Sequence, residues 1–181
     1  MVRLDETSAD CLVFTYKEGL LSAVAHDLKI RVSRFKIDVD EVARTIDARF
    51  DAASLRVVCA MRDGAEDMGA LSDDQKREIE RNIASDVLVS KKYAEVRYVA
   101  QAVGAGTRSL KVQGELSLHG TRKPLVVSVR KTAHRYVATA KIHQPDFGIR
   151  PYSAMLGTLR VKADVEVQVV VPVAAGREGG W

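Results

Sequence analysis

Apolar and polar residues alternate along most of this chain. Leu159, Val161, Ala163, Val165, Val167, Val169 and Val171 take every second place, with Arg160, Lys162, Asp164, Glu166, Gln168 and Val170 between them. A period of two sends successive side chains to opposite faces of a strand, so one face is buried and the other wet. The same alternation carries Leu110 to Leu118, Leu125 to Val129 and Tyr136 to Ile142. Earlier it carries Leu28, Ile30 and Val32, then Ile37 and Val39, then Ile46, Ala48 and Phe50. About eight to ten strands are predicted, the run over 159–171 being a single long one.

One segment has a different period. Ser72-Asp73-Asp74-Gln75 has the form of a capping box with acids in the first turn, and Ile79, Ile83 and Leu88 follow on one side. This predicts one helix of about three to four turns inserted after roughly five strands. The links Gly104-Ala105-Gly106-Thr107 and His119 to Pro124 are short enough to join antiparallel neighbours. A second short helix or loop is expected over Pro151 to Gly157. The chain reads as one domain over 1–175, with a loose tail from Gly176 to Trp181.

An antiparallel sheet of this size must close or split into two layers, because long open edges invite aggregation. Closure is expected. A closed barrel of about eight strands is filled by side chains or holds one small ligand, and interior bulk decides which. The inward candidates include Ala48, Gly114, Ala138, Ala140, Ala163 and several valines, which leave room.

Composition narrows the function. Of the 181 residues 46% are apolar and 29% charged, which suits a globular domain and excludes collagen, coiled coil and wholesale disorder. No apolar run approaches the ~18 residues of a spanning helix, so no membrane span is expected. The first residues carry no hydrophobic leader, from which a cytoplasmic protein with Cys11 and Cys59 reduced is expected. The net charge of +4 is spread along the chain without aromatic interleaving, which argues against nucleic acid. Nucleophile elbow, P-loop, zinc-protease helix and calcium loop are all missing, and Gly104-Ala105-Gly106 lacks the third glycine of a dinucleotide fingerprint. His26, His119, His134 and His143 stand in no metal-ligand spacing, so no metal and no cofactor are expected.

The richest stretch is Gln144 to Gly157, where Phe147, Tyr152 and Met155 sit in a connection punctuated by Gly and Pro. Such a connection dresses a barrel mouth for ligand entry, or Phe147 plugs the barrel end; the residues allow both.

Several segments together resemble the YceI-like family of lipocalin-like proteins, β-barrels that bind long isoprenoid or fatty-acyl molecules. They are Ala25-His26-Asp27-Leu28, the strand entry Val89 to Tyr98, the hairpin Gly114-Glu115-Leu116-Ser117-Leu118-His119-Gly120-Thr121-Arg122-Lys123-Pro124, and Asp146-Phe147-Gly148-Ile149. The resemblance implies a mainly β protein, an antiparallel lipocalin-like β-barrel of about eight strands with one inserted α-helix. It also implies non-enzymatic binding of a long-chain lipid or isoprenoid ligand. The ligand-lining candidates are Phe35, Ile37, Phe50, Tyr98, Leu116, Leu118, Phe147, Tyr152 and Met155, with His26 as the polar end. A homodimer stays open as the oligomeric state. The competing readings are a filled barrel acting as a structural or stress-related interaction module, and an enzyme using His26 or His143 with a nearby carboxylate.

Overall fold

Bent arms build the first half of the molecule. The computed structural model describes residues 1–18, 26–101, 109–154 and 159–173. Strands β1 (Val2–Asp5), β2 (Asp10–Thr15), β3 (Asp27–Val32), β4 (Phe35–Asp40), β5 (Thr45–Asp51) and β6 (Leu55–Arg62) are short. β1 pairs with β4 and β2 with β3, while β4 pairs with β5 and β3 with β6. Each successive pair, β1/β2, β3/β4 and β5/β6, is therefore one arm that turns a corner.

The corner is a hydrogen-bonded joint. Ser54 is fully buried, its Oγ donates to Asp51 O at 2.8 Å, and it accepts from Arg34 N at 3.1 Å. Ser33 N donates to Ser54 O at 2.9 Å. A small hydroxyl residue thus satisfies backbone groups that the interrupted ladder leaves free.

A meander follows. It runs through β8 (Glu95–Ala100), β9 (Ser109–Leu118), β10 (Thr121–Lys131), β11 (Arg135–His143) and β14 (Asp164–Pro172), after the edge strand β7 (Ala65–Asp67) and around the two-residue strands β12 (Ser153–Ala154) and β13 (Leu159–Arg160). Neighbours along the large sheet run β1-β4-β5-β8-β9-β10-β11-β14-β2-β3-β6-β7. β1 and β2, far apart in this order, are joined by a tight turn in which Ala9 N donates to Asp5 O at 2.9 Å. The sheet thus curls back upon its own start. Counted as arms (three bent, then β8, β9, β10, β11 and β14), it is an antiparallel, lipocalin-like β-barrel of eight.

The inserted helix α1 (Asp73–Asn82) begins at Ser72 with the expected capping box to Gln75. Ile79 and Ile83 pack on a second small core of Leu28, Ile30, Val57, Ala60 and Leu71, of which Ile30 also borders the lumen. The β3–β6 ladder slips between Lys29 and Ile30, and Glu80 Oε1 accepts from Val57 N at 2.8 Å beside that slip. The helix ends in a π-helical turn over Ile83–Val87, closed by Leu88 N donating to Ile83 O at 2.9 Å.

Three sequence expectations change. The long run over 159–171 is broken: Arg160 and Leu159 turn to pair with β12, Lys162 N donates to Tyr16 O beyond the end of β2, and β14 begins at Asp164. The short helical turn falls at Gln144–Phe147, ahead of the expected 151–157, because Pro145 fixes its first turn and Gly148 (φ 69°) ends it. The His119-to-Pro124 link shrinks to the two residues His119 (φ 51°) and Gly120 (φ 77°), the left-handed pair that a tight hairpin requires, so Pro124 lies inside β10. The Gly104–Thr107 link, residues 155–157 of the connection and the tail from Gly176 lie outside the described residues.

Candidate functional site

The inward residues of the barrel do not fill it. They surround a cavity of about 490 Å³, within the ~300–1,000 Å³ common for small-molecule sites. Its walls are small side chains set by the period of two: Val112 on β9, Val127 and Val129 on β10, Ala138 and Ala140 on β11, Val167 and Val169 on β14. Ala138 faces Val129 on one neighbour and Val169 on the other, so three strands contribute small residues at one level. Most of these wall residues are only half-buried although they point inward, because their inner surface borders the lumen.

One end is closed. Ile83, Val87 and Leu88, at and after the end of α1, line the cavity there together with Ile149. Phe147, 4% exposed, belongs to the same core. The other end reaches solvent, since Glu41, Arg44, Ser109 and Lys131 line the cavity and are also exposed. These sit on the β4–β5 hairpin and at the ends of β9 and β10, which open on the same side because their strands are consecutive in an antiparallel sheet.

Two polar side chains on the inner wall are spent within the protein. Tyr98 Oη donates to Val112 O at 3.1 Å, and Gln144 Nε2 donates to Lys162 O at 3.1 Å. Burial pushes the Tyr98 hydroxyl and the Cys11 thiol up to about 12 each, so both stay neutral at physiological pH. Burial also pushes Cys59 up, and both cysteines are free and buried. The deep lumen thus presents an uncharged, apolar surface, which suits a hydrocarbon chain.

Three of the sequence segments singled out above meet beneath the closed end. The His119 ring lies 4.2 Å from that of Tyr93, and its Nδ1 donates to Phe147 O at 3.3 Å. A carbonyl only accepts, so Nδ1 carries the proton. A Cβ on Gly120 would stand 2.8 Å from Tyr93 Cε1, so a larger residue at this left-handed turn would have to push the ring aside.

Of the residues predicted to line a ligand, Ile37, Phe50, Tyr98, Leu116 and Leu118 lie on the cavity wall. Phe35 is buried beside it, its ring 6.0 Å from that of Phe50, and Phe147 lies in the core at the closed end. His26 and Tyr152 stand off the wall; Tyr152 Oη accepts from Asn82 Nδ2 at 3.1 Å and ties the end of α1 to the connection before β12. Met155 lies outside the described residues. The sequence selection favoured large aromatic side chains and passed over the valines of β10 and β14, whose alternation had already placed them on one face.

His143 pairs with Asp164, Nδ1 to Oδ1 at 2.7 Å, and Lys141 Nζ reaches the other carboxylate oxygen at 2.7 Å. This cluster faces outward, since its neighbour Ile142 faces the lumen. Among the described residues no group of three His, Cys, Asp or Glu side chains converges as metal ligands would, and no helix is long and apolar enough to cross a membrane.

A curled antiparallel sheet around an apolar lumen, with one helix at its closed end, defines a lipocalin-like binding fold. The sequence matches the YceI-like domain over residues 5–173, and the chain belongs to that family. Among solved structures it is similar to BcnA from Burkholderia cenocepacia, with TM-score 0.65 and 16% identity, covering 94% of this chain and 99% of that one. It is also similar to a polyisoprenoid binding domain from Saccharophagus degradans implicated in plant cell wall breakdown, with TM-score 0.57, 14% identity and coverage of 90% and 91%. The YceI protein of Campylobacter jejuni gives TM-score 0.60, 14% identity and coverage of 87% and 90%. At these identities the likeness is one of fold. No curated protein matches the chain.

Proposed function

We propose that this protein binds a long apolar molecule, a polyisoprenoid or fatty-acyl lipid, non-covalently inside the barrel, for storage, transport or sequestration. The observation that carries this reading is the apolar lumen of about 490 Å³, closed at one end and open at the other. A methylene takes up about the ~30 Å³ of a water molecule, so the lumen has room for roughly 16 such groups. At ~0.8 kcal/mol for each buried methylene, this is ~13 kcal/mol of gross transfer free energy, comparable to the ~4–15 kcal/mol cost of association. Wall contacts would come from Ile37, Phe50, Tyr98, Leu116 and Leu118, together with Val127, Val167 and Val169. The polyisoprenoid binding named for the Saccharophagus domain supports the ligand class.

A barrel whose side chains leave this much room argues against a filled interaction module. His143 and Asp164 line a separate cavity of about 300 Å³ on the outer face of the sheet, apart from the apolar lumen, so this pair has no part in the binding proposed for the lumen. Native mass spectrometry of freshly purified protein should show an added mass in the range of a single lipid. The delipidated and refolded protein should then take up a fluorescent long-chain fatty acid at one site. A folded, delipidated protein that takes up no such probe would overturn the reading.

A further inference from the structure

The open end of the lumen has a rim with its own chemistry. On the β4–β5 hairpin, Asp40 Oδ1 accepts from Val42 N at 3.0 Å and Ala43 N at 2.8 Å, and Arg44 takes a left-handed backbone with φ 55°. This tight reversal leaves Val42 at the tip, 95% exposed, the most exposed large apolar residue described. A residue with no packing role is free to be polar, and here it is not. At the same end of the barrel, two strands further round, the β10–β11 hairpin carries Arg130, Lys131 and Arg135, all exposed.

Among the described residues, four cations gather at this rim, and like Lys91, Arg122 and Arg150 elsewhere they stand outside the ion pairs of the surface. Elsewhere Arg3 pairs with Asp38, Arg34 with Asp51 and Arg97 with Asp47. Among the described residues, no carboxylate lies within ion-pairing distance of Arg44, Arg130, Lys131 or Arg135. Lys131 Nζ instead lies 5.3 Å from the centre of the Tyr136 ring. The acids of the rim are Asp40, engaged with the turn, and Glu41. At the closed end the charges are mixed: Lys123 with Asp146, Lys141 and His143 with Asp164.

We propose that the rim docks on an anionic lipid surface, with Val42 entering the headgroup layer and Arg44, Arg130, Lys131 and Arg135 facing lipid phosphates. Basic residues beside an apolar tip are attracted to such a surface by charge and held there by apolar burial. The same rim is the mouth of the lumen, so a docked barrel exchanges an apolar chain with the bilayer without passing it through water. The proposal rests on reading the lumen as a lipid site, and the test separates the two.

Co-sedimentation of the full chain is measured with vesicles of phosphatidylcholine alone and of equal parts phosphatidylcholine and phosphatidylglycerol. Uptake of a fluorescent fatty acid is measured without vesicles. The expected result is binding to the mixed vesicles only, lost on raising the salt. Reversing Arg130→Glu with Arg135→Glu should weaken it on the order of tenfold or more, and Val42→Asp several-fold. None of these residues lines the lumen, so both variants should keep fatty-acid uptake. Lys91→Glu with Arg122→Glu, the same charge change away from the rim, should stay within about twofold. Equal binding to both vesicles, no binding to either, or an equal loss in the control pair would overturn docking while uptake still supports the lumen. Vesicle binding with no uptake would overturn the lumen reading and leave the docking rim standing.

Discussion

The phenol of Tyr98 lies across Gly114, so close that a Cβ at position 114 would stand 2.5 Å from Tyr98 Cζ and 2.5 Å from Val99 O. The glycine lets β9 pass under an aromatic ring that projects into the lumen, and the ring's hydroxyl is anchored on Val112 O. Gly114→Ala should therefore destabilise by about 1–3 kcal/mol or more, because one of the clashing atoms is backbone and cannot swing away. Tyr98→Phe, which loses a buried donor, should cost about 1 kcal/mol. Urea midpoints of both variants check this. A neutral Gly114→Ala would mean that the ring does not lie there.

That contact also marks where sequence reading reaches its limit. Period two placed Tyr98, Leu116, Val127 and Val169 on the inner face, because alternation is a local property of each strand. The corners at Ser33-Arg34 and Ala52–Ser54 left no such trace. They depend on a hydrogen bond between Ser33 and Ser54, residues 20 or so positions apart, which only the closed sheet brings together. Likewise Gly114 reads as a bend in the strand, whereas its requirement comes from Tyr98 on the neighbouring strand. The Ser72 capping box was legible because all of its partners lie within four residues. The choice of lining residues leaned toward aromatics, and of these Phe35 and Phe147 lie beside the lumen, where their bulk closes the core.

Phe147 offers a second test. It is buried at the closed end, and its carbonyl holds the His119 ring. Phe147→Ala should lower stability by about 3–5 kcal/mol, the usual cost of truncating a buried phenylalanine. Because Phe147 is not part of the cavity wall, the protein that remains folded should bind a fluorescent fatty acid within about threefold of the original, well under the loss expected from removing a wall contact. A stable variant that has lost lipid affinity would show instead that this ring touches the ligand.

Stability should fall in acid through Asp47. The guanidinium of Arg97 binds its carboxylate at 2.8 and 2.9 Å, with Arg49 at 3.0 Å, and these hydrogen bonds hold its pKa well below the usual carboxylate range. A depressed folded-state value means that the contribution is complete above the unfolded-chain pKa of ~3.9 and is lost as pH falls toward the folded value. The pair is partly solvated, so about 1 kcal/mol is the expected size. Asp47→Asn should be less stable than the original at neutral pH by that amount, and the gap should narrow below pH ~4. Urea unfolding across the acid range measures it, and a gap that stays constant would assign the loss to packing.

The lumen itself yields the most direct variant. Ala138 faces inward between Val129 and Val169, at a level where all three strands carry small side chains. In a filled core, Ala→Trp would force neighbours out of their rotamers and cost several kcal/mol. In this barrel the indole has space on the inner side, so Ala138→Trp should change stability by less than about 1.5 kcal/mol. The same indole would occupy much of the volume that a hydrocarbon chain needs, and affinity for the fluorescent fatty acid should drop at least tenfold, or about 1.4 kcal/mol. Ser128→Trp, on the exposed face of β10, carries the same ring outside and should leave binding unchanged. Severe destabilisation by Ala138→Trp would show the interior to be packed after all, and intact binding in a stable Ala138→Trp protein would move the ligand site out of the barrel.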